Sequence, residues 1–149
     1  TGKKDGAVRI VPNCSGQLKR GHHGVCTQPI PNLKPQGVDL RARSGATAVF
    51  IVESAVVKGL QFNSVWSVGN AQQIGVEDVL QDMDETFNPE TDSDIKLLYR
   101  ESIKDPYRML FHASSLIRTG CKIVAIKAGS SESGSRSSSS HTGAVASSD

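Results

Sequence analysis

Short apolar runs alternate with longer segments of helical periodicity, and this alternation restricts the fold more than any other feature of the sequence. The alternation begins after residue 36. The predicted strands lie in GVDLRA, FNSVWSVGN, IKLLYRE and CKIVAIKAG, and the predicted helices lie in SGATAVFIVESAVVKG, GVEDVLQDMDETF and DPYRMLFHASSLIRTG. Strands that alternate with helices favour a mainly parallel sheet with helices on both faces. The sequence therefore predicts an α/β three-layer sandwich.

Residues at the ends of these segments indicate where the helices begin and end. Pro106 lies just inside the start of the third predicted helix, and Gly120 lies just after its end. The first predicted helix ends at Gly59 and is apolar on almost every side, which predicts a buried helix. The whole pattern is typical of a flavodoxin-like or Rossmann-like sheet. In such sheets ligands bind beyond the carboxyl ends of the strands, where the strand order reverses.

The first 36 residues follow a different pattern. VRIV, at residues 8–11, predicts a short strand that stops at Pro12. Residues 13–36 contain Gly, His and Pro and predict an irregular connector. The sequence begins with Thr1 rather than Met, so we expect it to be a piece of a longer protein.

Composition argues against several classes of protein. Hydrophobic residues make up 37% of the chain and aromatic residues 5%, so the core must consist of Val, Ile, Leu and Ala. A net charge of +2, without a cluster of Lys and Arg, argues against nucleic-acid binding. No apolar run is long enough for a membrane span. The three cysteines lack a CxxC pair, which indicates neither a disulfide framework nor a metal site and favours a reducing, cytoplasmic location.

The stretch RARSGAT, after the GVDLRA strand, has the residues of an anion site. Ser44 is suited to cap a helix, and Gly45 lets an anion approach the backbone amides. An ordinary serine cap followed by a glycine for close packing explains the same residues. The residues alone leave both interpretations open.

Two other segments carry groups suited to histidine chemistry. Glu101 follows the IKLLYR strand, where a carboxylate can accept a hydrogen bond from an imidazole nitrogen and fix the tautomer. A solvent-facing Glu near Lys104 is the alternative. His141 stands in SSSSHTGAVASSD, which is either a solvated serine-rich tail or a segment whose small residues allow close packing. Gly69 and Asn70 indicate only a turn.

The remaining motifs exclude functions rather than indicate them. GSSESGSR, at residues 129–136, has the glycine spacing of a Walker A loop, but Ser135 occupies the place of the phosphate-binding Lys. His22 and His23 have no further ligand at metal-binding spacing, and His112 is predicted to be a half-buried helix residue. The sequence has no GxSxG motif of the kind found in serine hydrolases.

Six motifs occur together along the chain. They are PNCSG (12–16), RSGAT (43–47), SVGNAQQIGVEDVL (67–80), LYRESIKD (98–105), IKAGSSESGSR (126–136) and SHTGAVASSD (140–149). In this order they resemble the second, flavodoxin-like domain of the nucleoside-diphosphate-forming acyl-CoA synthetases. That superfamily includes succinyl-CoA synthetase and the ADP-forming acetate-CoA ligases. The resemblance covers nearly the whole chain, and SHTGA, preceded by KAGxSExGxR, is its most specific part.

The resemblance implies an acid-CoA ligase that works through a phosphohistidine. In that family, acyl-CoA and phosphate give an acyl phosphate, whose phosphoryl group passes to a histidine and then to ADP or GDP. The motif match implies that His141 accepts the phosphoryl group and that Glu101 orients it. It also implies a phosphate site at Ser44, Gly45 and Ala46. Further residues of an active-site loop would be Asn13, Gly69, Asn70, Ser140, Thr142 and Gly143.

The resemblance also implies a division of the chain and a set of partners. Residues 1–34 would contain the end of an upstream CoA-binding domain and a connector, and residues 35–149 would form the flavodoxin-like domain. The complete enzyme would need the CoA-binding domain and an ATP-grasp domain or subunit, and a homodimer is compatible with the family. Its cofactors would be coenzyme A and ADP or ATP with Mg²⁺, and acyl-CoA and phosphate would be substrates. Residues 1–149 alone are not expected to catalyse the reaction.

Two departures and two alternatives accompany the resemblance. Arg43 stands beside the expected phosphate site where relatives often have Gln, and Arg100 puts a cation beside Glu101 where an apolar residue is usual.

One alternative is a regulatory or scaffolding module of the same fold that binds CoA or an anion without catalysis. The other is a flavodoxin-like binder of a nucleotide or flavin. The second is disfavoured because the single tryptophan, Trp66, lies in a predicted strand and no loop is rich in aromatic residues.

Overall fold

The computed structural model describes residues 16–20, 22–24, 32–67, 74–100 and 103–128. From residue 38 onwards, the strands and helices alternate as the sequence predicted. The predicted VRIV strand lies outside the described residues. The elements are β1 (Gly16–Lys19), β2 (His22–Gly24), β3 (Val38–Ala42), α1 (Gly45–Val56), β4 (Phe62–Ser67), α2 (Val76–Glu85), β5 (Ile95–Arg100), α3 (Pro106–Arg118) and β6 (Lys122–Lys127).

The described strands form one sheet in the order β2-β1-β4-β3-β5-β6. β3 pairs in parallel with β4 and with β5, and β5 pairs in parallel with β6. β1 is antiparallel to both β2 and β4. The chain passes from β3 to β4 on one side and then crosses to β5 on the other side, so the strand order reverses at β3. The predicted mainly parallel α/β sandwich is confirmed, and the reversal places the expected ligand edge at the carboxyl ends of β3 and β5.

Two apolar cores lie on opposite faces of the sheet. On one face, Ala48 of α1 packs with the fully buried side chains of Leu40 and Phe62. On the other face, α2 and α3 pack against each other and against β5, with Leu80 and Leu116 fully buried. Burial of these mainly aliphatic side chains provides the main driving force for folding.

Local sequence explains where the helices begin and end. Ser44 Oγ accepts a hydrogen bond from a backbone amide of the first turn of α1, and Asp105 does the same for α3. Gly59 and Gly120 follow α1 and α3 with φ values of +84° and +100°, a conformation that favours glycine. The predicted roles of Pro106, Gly59 and Gly120 at helix ends are confirmed.

The prediction that α1 is a buried helix was wrong. Gly45 and Ala48 are its only buried residues, and Phe50 is 68% exposed. Ile51, Val52 and Ala55 of α1 pack against the core but are only partly buried, while Phe50 and Val56 are exposed. Apolar residues on every side of a helix do not show which side a neighbouring element covers.

The prediction of an irregular connector was wrong for part of residues 13–36. β1 and β2 form a hairpin that extends the sheet beyond β4, and Leu18 is buried in the core on the α1 side. The two strands have four and three residues, too few for a clear alternating pattern. Pairing with the edge of β4, rather than strand propensity, explains why they form.

A buried ion pair joins β3 to β5. Lys96 Nζ lies 2.7 Å from Asp39 Oδ2, and the two side chains are 2% and 5% exposed. Asn63 Nδ2 donates a hydrogen bond of 2.9 Å to Asp39 Oδ1, and the Ser64 hydroxyl donates to the same oxygen. The buried charges are therefore paired and the carboxylate is fully hydrogen-bonded, as burial of an ion pair requires.

Asp39→Asn should lower the free energy of unfolding by about 3–5 kcal/mol, because it leaves the Lys96 ammonium buried without a counter-charge. Asp94→Asn is the matched control, since Asp94 Oδ2 lies 3.9 Å from Lys122 Nζ and both side chains are more than half exposed. That change should cost less than about 1 kcal/mol. Urea unfolding followed by circular dichroism measures both losses, and losses of equal size would contradict the importance of the buried pair.

Candidate functional site

The parallel strands end together at one edge of the sheet. Ala42 at the end of β3 is in register with Ser67 of β4 and with Tyr99 of β5. The pairing continues past the strand ends, since Arg43 N donates to Tyr99 O at 3.2 Å and Ala128 N donates to Arg100 O at 2.8 Å. The carboxyl ends of these strands therefore lie together at the edge where the strand order reverses.

α1 begins directly at this edge. Ser44 has an extended backbone and caps the helix, Gly45 is buried and Ala46 is exposed. The first N–H groups of an α-helix have no acceptor within the helix, and they lie at the positive end of its dipole. The first turn of α1 contains no acidic residue. The backbone amides of Gly45 and Ala46 are therefore suited to bind an anion such as phosphate.

The other two described helices begin with acidic side chains of their own. The first turn of α2 contains Glu77 and Asp78, and Asp78 Oδ2 accepts a hydrogen bond of 2.7 Å from Gly75 N. α3 begins with the Asp105 carboxylate at its cap and with Pro106, which has no N–H. These acidic groups compete with a bound anion at both helix starts, whereas α1 lacks them.

Two arginines lie one residue beyond the register pair of Ala42 and Tyr99. Arg43 follows β3 and is 7% exposed, and Arg100 ends β5 and is half-buried. Arg100 Nη1 lies 3.4 Å from Met109 Sδ, so its guanidinium group contacts α3. Both arginines thus stand at the carboxyl ends of neighbouring central strands.

The structure brings together one part of the predicted site. Ser44, Gly45 and Ala46 form the amino terminus of α1 at the reversal of strand order, as an anion site requires. β5 ends at Arg100, the residue before Glu101 in the sequence. The predicted catalytic and loop residues lie outside the described residues: Asn13, Gly69, Asn70, Glu101, Ser140, His141, Thr142 and Gly143.

Two further side chains of interest have structural roles. His112 was predicted to be half-buried, but it is only 8% exposed, and its Nδ1 lies 2.8 Å from Asp84 Oδ2, which links α3 to α2. Cys121 is buried, and burial raises the pKa of its thiol, so the reactive thiolate is disfavoured.

Searches of the described part of the chain for a metal centre or a membrane span give negative results. No group of three or more His, Cys, Asp and Glu residues within it is arranged to hold a metal ion. No helix within it has both the length and the apolar character needed to cross a bilayer.

Sequence analysis missed a buried polar cluster on the α2 side of the sheet. Asp39, Arg41, Ser64 and Lys96 are all buried there. The sequence pattern that could have predicted this cluster is the pair of charged residues at alternate positions in VDLRA, together with the lysine in IKLLYR. Only the strand order, with β4 and β5 on either side of β3, shows that these residues are neighbours.

Comparison with known proteins indicates the family of the chain. The family described as "Succinyl-CoA ligase like flavodoxin domain" matches residues 35–149 of the sequence. The chain belongs to this family. The predicted resemblance is thereby confirmed, and the chain resembles one domain of the ADP-forming acyl-CoA ligases.

Proteins with similar sequences include ADP-forming acetate–CoA ligases. The alpha subunit of acetate–CoA ligase [ADP-forming] II from Pyrococcus furiosus is 34% identical over 140 residues, which is 93% of this chain and 29% of that subunit. The acetate–CoA ligase [ADP-forming] of Methanocaldococcus jannaschii is 33% identical over 144 residues, 95% of this chain and 20% of that protein. The chain thus spans less than a third of the length of either relative.

A solved structure agrees with the family assignment. The dinucleotide forming acetyl-coenzyme A synthetase 1 of Ca. Korarchaeum cryptofilum, in complex with phosphate and ADP, superimposes with a TM-score of 0.77 at 28% identity. The match covers 97% of this chain and 31% of that chain. The succinyl-CoA ligase-like flavodoxin domain is therefore supported by sequence and by fold.

Proposed function

We propose that this chain is the part of an ADP-forming acyl-CoA ligase that binds phosphate and carries the phosphorylated histidine. The observation that supports this most directly is the amino terminus of α1, whose first turn contains no acidic side chain and whose first amides have no acceptor within the helix, at the reversal of strand order. Phosphate groups bind at helix amino termini for this physical reason. The complete enzyme would interconvert acyl-CoA, phosphate and ADP with the free acid, CoA and ATP.

The proposed chemistry has three reversible steps. A phosphate oxygen attacks the thioester carbonyl, so that an acyl phosphate forms and CoA leaves through its sulfur. An imidazole nitrogen of His141 then attacks the phosphorus, and the acid leaves as a carboxylate. Finally, an oxygen of the terminal phosphate of ADP attacks the phosphorus on His141, which gives ATP and restores the free imidazole.

Each residue of the proposed site has a distinct role in this sequence. The amides of Gly45 and Ala46 bind phosphate oxygens, and Ser44 orders the first turn that presents them. Glu101 accepts a hydrogen bond from one nitrogen of His141, so the other nitrogen carries the lone pair. Phosphoryl transfer depends mostly on positioning and on fixed positive charge, and an α-helix amino terminus supplies both.

The proposal includes partner domains. We assign residues 1–34 to the end of a CoA-binding domain with its connector and residues 35–149 to the flavodoxin-like domain, with an ATP-grasp unit that binds ADP and Mg²⁺. A stripe of exposed apolar side chains on α3 supports a partner surface, since Tyr107, Phe111 and Ile117 are 86%, 65% and 55% exposed. A homodimer is the second candidate for that surface. The cysteine pattern fits a cytoplasmic enzyme.

When the chain is combined with its CoA-binding and ATP-grasp partners and radiolabelled ATP, we expect a labelled phosphoryl group on the chain. The label should be stable in base and lost in acid. His141→Ala should abolish the label because the acceptor nitrogen is missing. His112→Asn should retain it, since His112 pairs with Asp84 between α2 and α3 and has no role in the proposed transfer. If all the proteins are folded and no label forms, a non-catalytic module that binds CoA or an anion becomes the better account.

Ser44→Ala in the complete enzyme should raise the KM for phosphate several-fold and lower the free energy of unfolding by about 1 kcal/mol. The cap that orders the phosphate-binding amides is lost in this variant. Asp105→Ala is the matched control because it removes the cap of α3, where Asp105 Oδ1 accepts from Arg108 N at 3.0 Å. It should cost similar stability and leave the KM for phosphate unchanged. An equal change in KM for both variants would refute a phosphate site at α1.

A further inference from the structure

Tyr99 lies near the end of β5, and its side chain is on the face of the sheet that α1 covers. In the parallel pairing of β3 with β5, Tyr99 is in register with Ala42, which belongs to the core on the α1 side. The half-buried ring of Tyr99 packs against the same core. Tyr99 therefore stands at the carboxyl edge of the sheet, on the face where α1 begins.

The backbone joins Tyr99 to the start of α1. Arg43 N donates to Tyr99 O at 3.2 Å, and the next residue in the chain is Ser44, which caps α1. Gly45 and Ala48 are buried, so the beginning of the helix approaches the sheet closely through very small side chains. Ala48 belongs to the core against which Tyr99 packs. The start of α1 and the Tyr99 ring thus lie in the same part of the molecule.

Tyr99 differs from the other side chains at this level of the sheet. Its row, read across β4, β3, β5 and β6 from the strand registers, is Ser67, Ala42, Tyr99 and Ile126. Ala42 is apolar and fully buried, and the short side chain of Ser67 is buried as well. Ile126 is apolar and 45% exposed. In this row, only Tyr99 combines a long side chain with a polar tip.

The hydroxyl of Tyr99 has no hydrogen-bond partner among the residues that the structure describes. Tyrosines in a core usually pack the ring and place the hydroxyl on a partner, to which it can donate. The exposure of Ile126, the neighbour of Tyr99 on β6, shows that the described residues leave this side of the ring uncovered. The hydroxyl is therefore free to donate to a ligand that reaches this edge.

Phosphate is the ligand expected at this edge. The amides of Gly45 and Ala46 can bind only some of the acceptor sites on its four oxygens, so a phosphate held there needs further donors. A hydrogen bond from a neutral hydroxyl to a charged acceptor is stronger than one between neutral groups. A tyrosine beside the start of α1 thus meets a chemical requirement of the ligand.

We propose that the Tyr99 hydroxyl donates a hydrogen bond to an oxygen of the phosphate group held at the start of α1. This inference rests on the phosphate site of the proposed function, and it adds to that site a side-chain ligand from β5. Tyr99 precedes Glu101 by two residues. The end of β5 would then supply both a phosphate ligand and the residue proposed to orient His141.

Tyr99→Phe removes the hydroxyl and keeps the ring that packs in the core. Nitrogen-15 NMR spectra of the 149-residue chain would follow the Gly45 and Ala46 amides during titration with inorganic phosphate at constant ionic strength. The midpoint of the titration should rise about tenfold in Tyr99→Phe, because one hydrogen bond to a charged group is lost. Circular dichroism establishes that the variant is folded.

Tyr107→Phe is the matched control. It removes the same atom from a side chain that is 86% exposed and belongs to α3, which packs on the opposite face of the sheet. Its phosphate titration should match that of the parent.

The parent chain separates the two ways in which this proposal can fail. If its Gly45 and Ala46 amides do not respond to phosphate, the phosphate site itself is refuted, and the role of Tyr99 with it. If they respond and folded Tyr99→Phe binds phosphate with unchanged affinity, the phosphate site stands and the role of Tyr99 is overturned.

A second measurement reports on the hydroxyl directly. The chain has two tyrosines, Tyr99 and Tyr107, so carbon-13 labelling of the ring Cζ atoms gives two signals that the two variants assign. Phosphate should shift the Tyr99 signal with the same midpoint as the Gly45 amide and leave the Tyr107 signal unchanged. A Tyr99 signal that does not follow the Gly45 amide would show that the hydroxyl does not contact the phosphate.

Discussion

β3 pairs in parallel along both of its edges, and the positions of the other elements depend on that pairing. Every residue of β3 is buried. Leu40 and Ala42 face the core beneath α1, while Asp39 and Arg41 face the α2 side. Central parallel strands are usually apolar on both faces, so the charged face of β3 needs compensation. Lys96 on β5 provides it for Asp39, and Ser64 on β4 hydrogen-bonds to both Asp39 and Arg41.

The same pairing produces two regions with different chemistry, one at the carboxyl ends of the strands where α1 begins and one on the α2 face of the sheet. At the carboxyl ends, the donors are backbone amides at the start of α1, with no acid in the first turn. On the α2 face, the polar groups are side chains, with equal numbers of acids and bases. Backbone amides at the positive end of a helix dipole suit a multiply charged phosphate.

The sequence was sufficient to predict features with a local cause. Ser44, Pro106, Gly59 and Gly120 act through neighbouring backbone atoms, so their roles at helix ends could be read without the fold. The alternation of strands and helices predicted the parallel sheet for a similar reason. Reversal of the strand order at β3 then placed Ser44, Gly45 and Ala46 at the expected edge.

Features that depend on distant pairing could not be predicted in this way. The β1–β2 hairpin forms against the edge of β4, and the exposure of Phe50 depends on which side of α1 meets the sheet. The Arg41, Ser64 and Trp66 cluster required the register between β3 and β4. Each of these depends on contacts between segments that are far apart in the sequence, which no local pattern records.

The most direct measurement of the central claim is a map of phosphate binding along the backbone of this chain. Nitrogen-15 NMR spectra would be recorded during titration with inorganic phosphate and compared with a chloride titration at the same ionic strength. The account predicts saturable shifts of the Gly45 and Ala46 amides, with the starts of α2 and α3 unchanged. Saturable shifts at the α2 or α3 starts instead, or the same response to chloride at α1, would contradict a phosphate site where the strand order reverses.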